Sequence, residues 1–397
     1  MSQDILFYIA YGTDRLALSL PAHTRRLQLQ EQQQAINPVL FQKRLAGFLR
    51  LKLLDLSRPV LVLGDKTRLC GYPHSLPLLV SGLEQHGMDS ANLKIIIGYG
   101  IHARQSAGEC RQAYRAVYDQ FAFIHHDCQQ EDGFKEAGRT SRGTPIRFRR
   151  DLLEASVRAV SHHYFAGHGG GRKLVFPGCG ERDAIYINHG LYLDRAAGTI
   201  AKGCQPIILD GSPLAEDLFE IEEKLPADLA IHGILDCHGG LSDILIGHGR
   251  ENFLEACRRH GKNCEISSPN FDLVVASCGG FPKDINFIQI HKAIHNVAMF
   301  VRDGGLLLYG ECRDGIGSKT FLPWFTMDSF DAAFKELSQH YQGNGGTALA
   351  MMTKLQRIRI GMERWSPDQV AAHLAEQRKE QTIACIANAS LGVKREG

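Results

Sequence analysis

The feature that most constrains this chain is the alternation of short apolar runs with segments of helical spacing. Pro59–Leu63, Leu93–Ile97, Pro206–Leu209, Ala230–Leu235, Asp243–Ile246, Asp272–Ala276 and Gly305–Tyr309 read as strands. Segments such as Glu251–Arg259 between them carry helix-like periodicity. That order predicts an α/β chain with doubly wound, mostly parallel sheets. A length of 397 residues exceeds one ordinary core, so two such domains with an interdomain cleft are expected. The turn-rich Ser267-Ser-Pro-Asn270 places the boundary there: an N-terminal domain over 1–267 and a C-terminal one over 268–372. Residues 373–397 read as a helix packing back on the first domain.

Charge excludes several partners. Lys plus Arg is 45 and Asp plus Glu is 43, so a formal charge of +2 argues against nucleic acid and against an anionic membrane surface. The start of the chain has no basic segment followed by a long apolar one, and no run of about twenty apolar residues occurs. The 11 cysteines are scattered, without a C-x-x-C pair, which suits free thiols in a reducing cytoplasm.

The densest chemistry lies in His163-Tyr-Phe-Ala-Gly-His-Gly-Gly-Gly-Arg-Lys173, followed by Pro177-Gly178 and then His189. Glycines such as Gly170 and Gly171 let backbone approach a ligand. The segment misses both standard nucleotide signatures. Leu174 follows Lys173 where a P-loop needs Ser or Thr, and the glycine spacing is not that of a dinucleotide fingerprint. A tight structural loop would explain the glycines alone, but not the histidines and lysine beside them.

Other strand ends are weaker signals taken singly. Asp65-Lys-Thr-Arg68 follows a buried run and suits either an anion clamp or a capped turn. His102 follows Gly98-Tyr-Gly-Ile, ahead of a Ser106-x-x-Glu109 capping box; alone it reads as an exposed loop histidine. Gln289 and Lys292 share a helix face after Gly279-Gly-Phe-Pro, as a solvated face would or as a substrate clamp would. Cys237-His-Gly-Gly240, His125-His126 and His248 lack partners at metal-ligand spacing and read as structural.

Taken in order, Asp65-x-Thr-Arg68, His102, His163-x-x-Ala-Gly-x-x-Gly-Gly-x-Lys173 with Pro177-Gly178, His189, and Gly280-x-Pro-x-Asp284 with Gln289 and Lys292 resemble the nickel-pincer-nucleotide-dependent lactate racemase family. The resemblance implies a cofactor, the Ni(II)-pyridinium-3,5-bisthiocarboxylic acid mononucleotide, tethered covalently at Lys173. His189 would be its protein metal ligand, and Asp65, Lys66, Thr67, Arg68, Gly170 and Gly171 would line it. His102 and His163 would be paired acid/base groups. Gln289, Lys292, Arg68 and His168 would meet a small 2-hydroxy acid. Enzymes that build the cofactor are implied as partners. His168 and Gly169 stand where lactate-specific members carry an aromatic and a serine, and Ile288 where they tend to carry tyrosine. The changed lining leaves room for a larger acid, such as a dicarboxylate or sugar acid.

The implied reaction, racemisation or epimerisation at C2, makes physical sense. Removing a proton beside a carboxylate would build a dianion, whereas hydride removal is easier when a base takes the hydroxyl proton. One histidine per enantiomer gives a symmetric device. Two other readings remain: a divalent-metal hydrolase using His102, His163 and His189, and a non-catalytic nucleotide-binding homologue.

Overall fold

The structure, a computed structural model, describes residues 4–29, 36–68, 71–163, 171–236, 241–361 and 382–395; of 161–163, 171 and 172 it describes the backbone alone. Within these the chain is α/β with mostly parallel sheets, as its alternating pattern predicts. It folds as two units. One comprises residues 32–194 and 201–260; the other comprises 1–31, 195–200 and 261–397.

The first unit is built on a six-stranded sheet. Its spatial order is Leu241–Gly247, Leu229–Leu235, Val157–His163, Pro59–Gly64, Lys94–Gly98 and Phe123–His125. Only the first pair is antiparallel. Pro59–Gly64 is buried at every residue, which is why it reads as an unbroken apolar run. Its side chains alternate faces: Leu61 and Leu63 join a core with Phe41, Leu45, Tyr72 and Ile97, while Val60 and Val62 join another with Ile96, Phe148 and Val160. From Pro59–Gly64 the chain winds outward through Lys94–Gly98 to Phe123–His125. It then returns to the opposite side of Pro59–Gly64 through Val157–His163. The sheet's switch point therefore lies between Pro59–Gly64 and Val157–His163, where α/β sheets place ligands beyond the strands' carboxyl ends.

The second unit holds a five-stranded parallel sheet, in the order Arg359–Gly361, Val301–Tyr309, Phe271–Ser277, Ile383–Ile386 and Arg25–Leu27. On one face lies the apolar side of the helix Phe287–Val297, with Ile290, Ile294 and Val297 against Val274, Ala276 and Leu308. On the other lies an antiparallel hairpin, Ile5–Tyr11 with Asp14–Leu20, whose Phe7, Ile9, Leu18 and Leu20 cover Leu273, Val275 and Leu307.

Three expectations differ from what is observed. The N-terminal residues fold with the later sheet, not with residues 32–194, because the hairpin packs on it and Arg25–Leu27 pairs with Ile383–Ile386. Residues 382–395 form strands, not a helix: Ile383-Ala-Cys-Ile386 is buried throughout between two parallel neighbours. Pro206–Leu209 is a turn with Ile207 at φ of 62°, and among the described residues no strand pairs with it. Conversely Val157–His163, a central strand, was hidden by its polar alternation.

Candidate active site

Asp65 begins where the strand Pro59–Gly64 stops. Gly64 is held between two fully buried tyrosines, its N–H donating to Tyr72 Oη at 2.8 Å and its carbonyl accepting from Tyr114 Oη at 2.7 Å. The neighbouring strand ends in register, Gly64 opposite Gly98, and the loop that follows carries His102. On the other side Leu63 pairs with Ser161, so the backbone of His163 ends its strand at the same carboxyl edge.

The closest coupling in this region is between Asp65 and His102. Asp65 Oδ2 lies 2.6 Å from His102 Nδ1. Asp65 Oδ1 accepts from Thr67 N at 2.8 Å and from Thr67 Oγ1 at 2.5 Å. Thr67 Oγ1 in turn accepts from Arg68 at 2.8 Å, so charge and hydrogen bonding run in series from Arg68 to His102. Burial alone would raise the Asp65 carboxyl. The charge and hydrogen bond of His102, the Arg68 charge and the Thr67 hydroxyl outweigh it and hold that carboxyl well below its ordinary range. An ionised Asp65 can only accept, so His102 keeps its proton on Nδ1 and presents Nε2 as the basic nitrogen. The His102 side chain is 35% exposed, which leaves it reachable. Burial lowers the Arg68 guanidinium pKa, opposed by Asp65. Lys66 is engaged elsewhere: its Nζ pairs with Glu109, the carboxylate that closes the capping box with Ser106.

Lys173 and His189 lie near this pair. Burial first, and then the Lys173 and His102 charges, push the His189 imidazole down to about 4. It is therefore neutral at neutral pH and available as a ligand. His189 occupies the last turn of the helix Arg182–Gly190, whose N-terminus Glu181 caps through the N–H groups of Asp183 and Ala184. The loop of His102 is pinned to the segment of Lys173 backbone to backbone. Gly100 N donates to Gly178 O at 2.8 Å, and a Cβ on Gly98 would meet Gly178 and the Leu174 carbonyl at 3.2 Å. Gly178 itself must lack a side chain, since a Cβ there would lie 2.3 Å from Leu174 O.

Of the remaining expected site residues, His163 and Gly171 are described by backbone alone, and His168 and Gly170 lie outside the described residues, as does Cys237–Gly240. Gln289 and Lys292 belong to the other unit, on the helix Phe287–Val297. Asn286 caps that helix by accepting from Gln289 N, and Lys292 Nζ donates to Gln289 Oε1 at 2.6 Å. Gln289 is buried.

Sequence reasoning missed the support behind His189. Asn188 Oδ1 lies 3.1 Å from His189 Nδ1, and Asn188 Nδ2 donates to Asp217 Oδ2 at 2.8 Å. Thr144 Oγ1 donates to the same oxygen at 2.8 Å. Asn188 adjoins a singled-out histidine and was findable on that ground; Asp217 and Thr144 carry no local signal. Cys204, half-buried, also feels the Lys173 charge, though burial dominates and raises its thiol. Among the described residues no three His, Cys, Asp or Glu side chains converge as a metal site, and no helix is long and apolar enough to cross a membrane.

The chain is similar to known proteins in sequence and in fold. The lactate racemase N-terminal domain matches residues 19–200. The lactate racemase of Thermoanaerobacterium thermosaccharolyticum is 24% identical over 355 residues, covering 83% of this chain and 80% of that protein. That of Lactiplantibacillus plantarum is 21% identical over 269 residues, 66% of this chain and 62% of that protein. The T. thermosaccharolyticum lactate racemase apoprotein superposes with a TM-score of 0.85 at 20% identity, covering 99% of this chain and all of that one, 100%. A protein from Thermotoga maritima superposes with a TM-score of 0.66 at 12% identity, over 92% of this chain and 100% of that one. The chain is similar to the lactate racemases, matching their N-terminal domain over residues 19–200, and it shares the fold of the solved lactate racemase.

Proposed function

We propose that this chain is an isomerase, a racemase or epimerase that inverts C2 of a 2-hydroxy acid, using a nickel-pincer nucleotide tethered at Lys173. The observation that carries the reading is an aspartate-backed histidine, His102, whose charge together with that of Lys173 reaches a buried neutral histidine, His189. The curated relatives named as lactate racemases support the reaction class.

The residues present fit the cofactor. Lys173 supplies the amine for attachment, and His189 supplies a single neutral imidazole. A single neutral imidazole would suit a nickel ion whose remaining ligands came from the sulfur atoms of the cofactor. Gly98 and Gly178 hold the Lys173 segment against the His102 loop with no side chain between. Arg68, half-buried and bonded to Thr67, provides a cation for a phosphate or carboxylate. When bound, the cofactor supplies an acceptor for the hydride at C2.

The chain's own part is proton handling and orientation. His102 Nε2 takes the hydroxyl proton of one enantiomer. The imidazolium so formed faces the ionised Asp65, which stabilises it without taking its proton. His163 is proposed to do the same for the other enantiomer. Gln289 and Lys292 are proposed to hold the substrate's polar groups. Ile288, buried in front of Gln289, suits a pocket different from one built for lactate alone. The free cysteines among the described residues fit a cytoplasmic enzyme, built with its cofactor by partner synthesis enzymes. The test is a chiral assay of the cofactor-loaded protein on lactate, dicarboxylic hydroxy acids and sugar acids. Inversion of at least one, lost in His102→Ala, supports the reading; no inversion of any refutes it.

A further inference from the structure

Asn188, Asp217 and Thr144 are each completely buried, yet all three are polar. They come from different elements. Asn188 lies on the helix Arg182–Gly190, Asp217 on the helix Pro213–Lys224, and Thr144 just before the strand Pro145–Arg149. Burying such groups is costly unless they are hydrogen-bonded. Thr144 and Asn188 both bond Asp217, and Asn188 in turn meets the His189 imidazole.

The directions of those bonds can be worked out. An Asp217 carboxylate accepts and cannot donate. It takes one hydrogen bond from Thr144 Oγ1 and one from Asn188, both on Oδ2. The nitrogen end of the Asn188 amide must therefore face Asp217, which turns its oxygen toward His189. An amide oxygen only accepts, so the ring atom 3.1 Å away, Nδ1, must carry the proton. In a neutral ring the lone pair is then on Nε2. An unconstrained histidine side chain prefers the opposite tautomer, with its proton on Nε2 and no lone pair there.

We propose that Asn188, held by Asp217 and Thr144, is a positioning residue that fixes the His189 tautomer so that Nε2 is the ligating nitrogen. The role deepens the functional reading and rests on it for the identity of what His189 ligates. Metal-bound histidines are commonly oriented by a bond to the other ring nitrogen. Here the orienting group is a carboxamide, itself oriented by a carboxylate. This keeps a charge one step away from the ligand.

The experiment reads the tautomer directly. Protein produced without cofactor, with 15N-labelled histidine, is examined by long-range 1H–15N correlation at pH 7.5, and His189 is assigned from the signals lost in His189→Gln. Wild type is expected to show Nδ1 protonated and Nε2 bare. Asn188→Ala is expected to shift the ring toward the Nε2–H form, and Thr144→Val to shift it part of the way. Cofactor-loaded Asn188→Ala should hold nickel roughly tenfold to a hundredfold less tightly against a chelator, measured by elemental analysis. A wild-type ring protonated on Nε2, an Asn188→Ala ring unchanged from wild type, or an unchanged rate of nickel loss overturns the proposal. If Asn188→Ala does not fold, the wild-type spectrum and Thr144→Val decide it. Because the tautomer is read in protein that has never met the cofactor, failure to load nickel would refute the functional reading and leave this result standing.

Discussion

Replacing Asp65 with asparagine changes one atom and should disable the site while leaving its shape. The new amide cannot choose its orientation freely. Thr67 N–H donates to Oδ1 at 2.8 Å, so the oxygen of Asn must stay on that side and its NH2 must face His102. His102 Nδ1 would then have to accept, which moves its proton to Nε2 and removes the base. Amidating the aspartate behind a catalytic histidine costs on the order of a thousandfold to ten-thousandfold in kcat when the tautomer is wrong. Stability should fall too. Asp65 is 3% exposed and its carboxylate feels the charge of the half-buried Arg68, so Asp65→Asn strips the negative member from a partly buried pair. The expected loss is about 1–3 kcal/mol, less than for a fully buried pair, because Arg68 keeps its bonds to Thr67. Asp65 sits below its ordinary value of 3.8 in the native protein. Its contribution is therefore present above that pH and is lost as pH falls toward the native value. Asp65→Asn should lose the corresponding acid sensitivity. Chiral turnover of the loaded enzyme and denaturant midpoints against pH measure both effects. Activity within threefold of wild type, with an unchanged midpoint, would refute the coupling of Asp65 to His102.

Gly98→Ala should push the Lys173 segment away from the His102 loop, because its Cβ would meet backbone at 3.2 Å; a loss of about 1–3 kcal/mol and weaker nickel retention are expected, read by thermal melts and elemental analysis. Burial pushes the His232 imidazole from 6.5 down to about 3. The unfolded chain takes that proton first, so stability should fall as pH drops from 6.5 toward 3, by up to about 5 kcal/mol from this group. His232→Leu should flatten the fall; a slope identical to wild type between those limits would show that His232 does not contribute.

The strand Pro59–Gly64 was legible because it is buried on both faces: Val60, Leu61, Val62 and Leu63 cannot read as anything amphipathic. The positions of Asp65 and His102 were legible because each follows such a strand directly. The hairpin at Ile5–Leu20 was not, since its partners Leu273 and Leu307 lie more than two hundred residues on and no local pattern names them. Asp217 and Thr144 were hidden for the same reason, their common target being set by topology. The capping box at Ser106 was read correctly from four residues. What it could not reveal is that Glu109 also binds Lys66.

The proposed function stands or falls with Lys173 as the tether of a nickel-bearing nucleotide beside His189. The most direct measurement is the intact mass, the Lys173 peptide and the metal content of protein produced together with the cofactor-synthesis enzymes. A sulfur-bearing adduct on Lys173 and one nickel per chain are expected, with the adduct absent from Lys173→Ala. An unmodified Lys173 and nickel-free protein from the same cells would contradict it.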